Sequence, residues 1–109
     1  MTVFDLQKNI NLEMLAGEGG MDRKVEDVYI GDMLSWVIGN ASDNSAWITI
    51  QTNVNIVAVA VMVGISCIII AENASVDPET LKKAENEAIP ILRSHLTSYQ
   101  LARKINLGN

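Results

Sequence analysis

The stretch AWITIQTNVNIVAVAVMVGISCIIIA, Ala46 to Ala71, contains no Asp, Glu, Lys or Arg. Its larger part, Val54 to Ala71, has the length of a membrane span, which takes roughly 17–25 apolar residues. The details of the stretch argue against a span. Asn55 lies inside the apolar part, and Gln51, Thr52 and Asn53 stand just before it. Gly64 and Ser66 interrupt it, and no basic cluster flanks it to set an orientation. The stretch instead divides into three pieces: a strand at Trp47–Ile50, a helix over Asn53–Val63 and an apolar strand over Ile65–Ile70. Strand, apolar crossover helix and apolar strand make up the buried centre of a parallel α/β sheet.

The flanking sequence extends this pattern in both directions. Downstream, Asp77-Pro78 supplies an N-cap and a first-turn proline. Leu81, Ala84 and Ala88 form the inward face of the helix that follows, and Lys82, Lys83, Glu85 and Glu87 its solvated face. Ile89–Leu92 reads as a further strand. Thr97 or Ser98 opens a last helix that ends at Arg103-Lys104, where basic residues suit the helix dipole. Upstream, Thr2 caps a helix over Val3–Lys8, Asn11–Leu15 is a strand, and Gly17-Glu18-Gly19-Gly20 is a turn. Val25–Ile30 is a strand. Asp32 then caps a helix through Ile38 that Gly39-Asn40 ends. The expected fold is α/β: one domain over residues 1–109 with a mostly parallel central sheet flanked by helices, to which the first half adds strands or a hairpin at one edge.

Composition narrows the function. The chain has 109 residues, 49% hydrophobic and 19% charged, enough for one core without metal or disulfide. Its net charge is −5, and the acidic excess lies before Ser45. An acidic chain without a basic stripe is a poor partner for nucleic acid or an anionic membrane. The single cysteine, Cys67, sits inside an apolar strand and reads as a core residue. With no intrachain disulfide framework and no signal peptide at the N-terminus, the expected location is the cytoplasm.

Ligands of open α/β sheets bind beyond the carboxyl ends of the strands. That rule selects Gln51, Thr52 and Asn53 after one strand, Glu72 and Asn73 after the next, and Arg93, Ser94 and His95 after the last. Gln51–Asn53 places polar side chains and free backbone N–H groups at a helix entry, which suits an anion or a carbonyl. Alternatively, Thr52 or Asn53 simply caps that helix. Tyr29, Gly31, Asp32 and Ser35 form a second cluster, in which Asp32 either lines a pocket or caps its helix. The candidate ligand-binding residues are therefore Gln51, Thr52, Asn53, Asp32, Glu72 and Ser94. No catalytic residue, metal ligand or cofactor is assigned. The lone His95 has no companions for a metal, the Gly17–Gly20 turn lacks the Lys and Ser/Thr of a phosphate loop, and Glu85 and Glu87 lie on a solvated face. A transferase or hydrolase built on Asp32 and His95 has no activated nucleophile.

VYIGDMLSWVIGNA (Val28–Ala41), WITIQTNVNIVAVAVMVGISCIII (Trp47–Ile70), AIPIL (Ala88–Leu92) and SYQLARKI (Ser98–Ile105) together resemble the DRTGG domain family. The five-residue signature is present only as Asp22-Arg23, followed by Lys24. The resemblance implies a mostly parallel α/β domain similar to the N-terminal domain of HPr kinase. Related modules stand beside CBS domains in regulated pyrophosphatases and within some phosphotransacetylases, as regulatory or dimerising units. Stand-alone members are bacterial or archaeal, some near iron-hydrogenase genes. The expected function is a non-enzymatic regulatory or ligand-sensing module, homodimeric, binding a nucleotide or another small anion at a helix N-terminus. The alternative is a protein–protein adaptor for a redox enzyme such as an iron hydrogenase or its assembly machinery, with Trp36 a candidate for the interface.

Overall fold

Ser45–Thr49 and Cys67–Ile70 are strands in which every residue is buried. They pair in parallel, from Ala46 opposite Cys67 to Thr49 opposite Ile70, and the helix Asn55–Val63 connects them. In the computed structural model, which describes residues 1–108, the charge-free stretch is thus strand, helix and strand, as its sequence predicts. Among the described residues no helix is long and apolar enough to cross a membrane.

In chain order the elements are α1 (Val3–Asn9), β1 (Glu13–Ala16), β2 (Asp27–Ile30), α2 (Leu34–Asn40), β3 (Ser45–Thr49), α3 (Asn55–Val63), β4 (Cys67–Ile70), α4 (Pro78–Glu87), β5 (Ile91–Arg93) and α5 (Ser98–Lys104), with a short 3-10 turn at Glu18–Gly20. The sheet order is β1-β5-β4-β3-β2. Strands β2 to β5 are parallel, and β1 runs antiparallel to β5 with an irregularity between Met14 and Ala16. The two early strands therefore take opposite edges of the sheet and do not form a hairpin at one edge.

The period of a strand distributes its side chains to two cores. Trp47, Ile68, Ile70 and Ile91 face a core shared with Val37 of α2, Ile56, Val57, Val59 and Ala60 of α3, and Ala84 of α4. Ala46, Ile48, Cys67, Ile69 and Leu92 face a second core with Val3 and Leu6 of α1 and Leu101 of α5. The parallel strands follow one another across the sheet in chain order, so crossovers of one hand place all three connecting helices on one face. Only α1 and α5, which are not crossovers, are left to cover the other.

The helix ends follow local chemistry at most positions. Thr2 and Thr97 each form a capping box, with Asp5 and Gln100, and the Thr2 hydrogen bonds hold the exposed Asp5 carboxyl below the usual range. Asp77 stands at the N-cap of α4 with Pro78 behind it, and its side chain makes no cap bond. Ala88 is not on the inward face of α4; it terminates the helix in a left-handed conformation, φ 53°. Helix α2 begins after Met33, not Asp32, and runs through Gly39-Asn40 to an extended Ala41.

Gly17, at φ 81°, marks where the turn after β1 meets the end of α4. A Cβ there would lie 2.0 Å from the Ile89 carbonyl oxygen, whereas one on the helical Gly39 would meet nothing within 4 Å. Gly17→Ala is expected to destabilise the protein by more than about 2 kcal/mol and Gly39→Ala to stabilise it by about 0.5–1 kcal/mol. Urea denaturation of the two variants checks both signs.

Candidate functional site

The carboxyl ends of β2, β3, β4 and β5 lie along one rim of the sheet, and all six residues expected from the sequence stand in the loops that leave it. The structure separates them into two groups. Asp32, Gln51, Thr52 and Asn53 gather beyond β2 and β3. Glu72 and Ser94 lie farther along, beyond β4 and β5.

The first group is a closed network. Thr49, fully buried at the end of β3, donates its hydroxyl to an Asp32 carboxylate oxygen at 2.8 Å and accepts the Gln51 N–H at 3.1 Å. The same Asp32 oxygen accepts the Ile50 N–H at 3.0 Å. This is why Asp32 does not cap α2: its carboxylate is engaged by the neighbouring strand. Gln51 Nε2 donates to the Asp32 carbonyl at 2.9 Å, and Asn53 Nδ2 donates to Gln51 Oε1 at 3.3 Å. Asn53 Oδ1 accepts the Asn55 N–H at 2.9 Å, which serves the entry of α3. The Thr52 carbonyl accepts the buried Thr80 hydroxyl at 2.8 Å and so ties the start of α4 to this loop. Gln51 is thus a brace between two loops. The sequence shows these polar groups at the expected end of the sheet but not that they satisfy one another.

Of the second group, Ser94 borders a cleft, and the exposed Glu72 precedes another of its lining residues, Asn73. The cleft, of about 370 Å³, is lined by residues of the α1–β1 loop, β1, the β4–α4 loop, β5, the β5–α5 loop and α5. Glu72 and Asn73 both hold left-handed backbone, φ 58° and 55°. Their N–H groups donate to the Leu96 and Ser94 carbonyls at 2.9 and 2.8 Å. Arg93 forms one wall of the cleft, with a two-point bond to Glu13 at 3.0 and 3.2 Å and a third bond to the Ala74 carbonyl. The sequence reading placed Arg93 and His95 at this rim; it missed Asn11, Glu13 and Lys104, which arrive from distant segments.

Cys67 stands on β4 in the α1–α5 core, and burial pushes its thiol up to about 12. A thiol so placed is neither nucleophile nor ligand. Among the described residues no group of three or more His, Cys, Asp or Glu is placed to hold a metal.

A mostly parallel, singly wound sheet between two helical layers, with polar loops along one rim, defines a small α/β domain. The chain belongs to the DRTGG domain family, whose model matches residues 5–107. Its fold is similar to the crystal structure of the CBS and DRTGG domains of the regulatory region of Clostridium perfringens pyrophosphatase complexed with activator, diadenosine tetraphosphate, with a TM-score of 0.73 and 14% identity. The match covers 94% of this chain and 44% of that one, so this chain spans less than half of its length. No curated protein matches the chain in sequence.

Two outcomes follow from the site. Asp32→Ala and Thr49→Val are each expected to cost about 1–2 kcal/mol, with a coupling of more than about 0.5 kcal/mol in the double variant; strictly additive effects in urea titrations would show that the Asp32–Thr49 bond contributes nothing to stability. Cys67 is expected to resist a thiol reagent in the native protein and to react on unfolding. Its raised value also makes the folded state lose stability as pH climbs from about 9, where the unfolded thiol ionises, towards about 12.

Proposed function

We propose that this chain is a non-catalytic regulatory module that senses a small ligand, a nucleotide or another small anion, and acts as a homodimer. The family membership carries this reading: the DRTGG domain of the similar structure belongs to a regulatory region that was crystallised with a nucleotide activator. The chemistry of the rim supports it. The thiol is buried and protonated, and the Asp32 carboxylate is engaged by Thr49 and Ile50, while polar loops stand at the end of the sheet where ligands of such folds bind. Gln51, Thr52, Asn53, Asp32, Glu72 and Ser94 all lie on that rim and are proposed as the residues that contact the ligand or position those that do.

The homodimer is supported by an apolar set beside the β2 edge. Ile30, Met33, Trp36 and Ile50 are 47–61% exposed, on the last residue of β2, the first turn of α2 and the end of β3. Aromatic and Met side chains are enriched where protein surfaces meet. The same set is what an adaptor would present to a partner enzyme, including a redox enzyme.

Two measurements test the proposal. In a thermal-shift panel of adenine and guanine nucleotides, acyl phosphates and nicotinamide cofactors, at least one compound is expected to raise the melting temperature saturably; a flat panel refutes ligand sensing. The melting temperature of the free protein is expected to rise with protein concentration, and Trp36→Glu to abolish that dependence. A monomeric mass with a concentration-independent melt would refute the homodimer and favour the adaptor.

A further inference from the structure

We propose that the cleft beyond β5 is a receptor for a small phosphate-bearing anion, held by Lys104 and His95 with Asn11 and Asn73 and extended along Arg103. The proposal rests on the ligand-sensing reading above and narrows it to one end of the rim. The cleft of about 370 Å³ adjoins a second of about 360 Å³, and the two share Leu96 and Lys104. Each volume lies within the range of roughly 300–1,000 Å³ usual for small-molecule sites.

Charge is the first argument. The chain carries net −5, yet from Ala88 onward it has Arg93, His95, Arg103 and Lys104 and no Asp or Glu. The one carboxylate lining the cleft, Glu13, is matched by Arg93. The ion pairs among the described residues are Arg93–Glu13 and Lys83–Glu87, so Lys104 and Arg103 have no carboxylate partner there. Arg103 is stacked over the Tyr99 ring at 5.6 Å, which leaves its charge uncancelled. Glu72 precedes Asn73 but does not line either cleft. The groove therefore offers two cations, Lys104 and Arg103, with no carboxylate partner among the described residues, on an acidic molecule. Glu72 is the nearest further carboxylate in the chain beside it. Unpaired cations in a cleft attract small anions.

Donor geometry is the second argument. At the other end of the rim, Asp32, Gln51 and Asn53 are bonded to one another. Here Asn11, Asn73, His95 and Lys104 come from four separate segments to one cavity. The dipole of α5 accounts for basic residues in its last turn, but not for a cavity beneath them or for asparagines on two other loops. A planar carboxylate is best recognised by the fork of an arginine, and the half-buried arginine here, Arg93, already holds Glu13. What remains is a point-charge ammonium, an imidazole and two amides contributed by four different segments, a set suited to the several oxygens of a phosphate.

The test is titration of the full chain with inorganic phosphate, pyrophosphate, AMP and adenosine, followed by amide NMR shifts and calorimetry. Phosphate or pyrophosphate is expected to bind saturably and to move the resonances of Asn73, Ser94, His95 and Leu96. Lys104→Glu and His95→Ala are each expected to weaken binding, the former by at least about tenfold, with Lys82→Glu on the far helix leaving it unchanged. His95→Ala lies outside any helix and tests the site without disturbing α5. Tighter binding of AMP than of phosphate would identify the ligand as a nucleotide. Anion binding indifferent to both substitutions, or binding of adenosine or a nicotinamide cofactor alone, overturns this site and leaves ligand sensing standing. Absence of binding by every probe in both screens overturns both.

Discussion

The β3–β4 pair has no face that water reaches. Ala46, Trp47, Ile48 and Thr49, and opposite them Cys67, Ile68, Ile69 and Ile70, are fully buried, so this pair exists only if helices cover both sides of it. The winding of the chain satisfies one side automatically, because α2, α3 and α4 are the crossovers between consecutive parallel strands and fall together. The other side must be closed by α1 and α5, which stand outside the crossover series. Val3 and Leu6 from one, and Leu101 from the other, meet on Ala46, Ile48, Cys67, Ile69 and Leu92. The integrity of the centre thus depends on the first and last helices, short elements of seven residues each. Neither would be a stable helix alone; each is held by its capping box and by its apolar face.

Most of this was legible because it is written locally. Absence of charge over Ala46–Ala71, the N-cap at Thr2, the start of the last helix at Thr97 or Ser98, and the Asp77-Pro78 helix start are all signals of neighbouring residues. One departure arose because a distant partner outcompeted a local preference. Asp32 has the chemistry of an N-cap, yet its carboxylate takes the Thr49 hydroxyl and the Ile50 N–H across the sheet. Glu85 is exposed, as its helix face predicts, and one of its oxygens also accepts the Gly17 N–H, which no local pattern shows. That bond, with Gly17 packed on the Ile89 carbonyl, fixes the chain after β1 against the end of α4. The placement of β1 and β2 on opposite edges was equally beyond local pattern, since strand order is a property of the sheet and not of any segment.

The candidate site shows the same division. The rule that ligands meet the carboxyl ends of parallel strands selects one rim, and the residues it names stand in the loops of that rim. It does not distinguish donors that satisfy one another from donors left facing a cavity. Gln51, Thr52 and Asn53 look strongest because three polar residues stand together, yet Gln51 and Asn53 bond to each other and Gln51 to Asp32, while Thr52 gives its carbonyl to Thr80. The open cleft is instead assembled from Asn11, Asn73, His95 and Lys104, residues as much as 93 positions apart in the chain.

The position of that cleft follows from the strand order. In a doubly wound sheet a crevice opens where the strand order reverses, but here β2 to β5 advance in one direction and offer no reversal. The sheet changes character only at β5, where antiparallel β1 brings its first residue, Glu13, opposite Arg93. That pairing delivers the α1–β1 loop to the carboxyl rim, where it faces the β4–α4 and β5–α5 loops. A ligand seated there would touch the loop that follows α1 and the last turn of α5, the two helices that close the second core. A ligand acts on a conformational equilibrium only through differential affinity for its states. An anion bridging Asn11 and Lys104 would favour any state in which both helices are docked over one in which either is not, and so would bear on the second core.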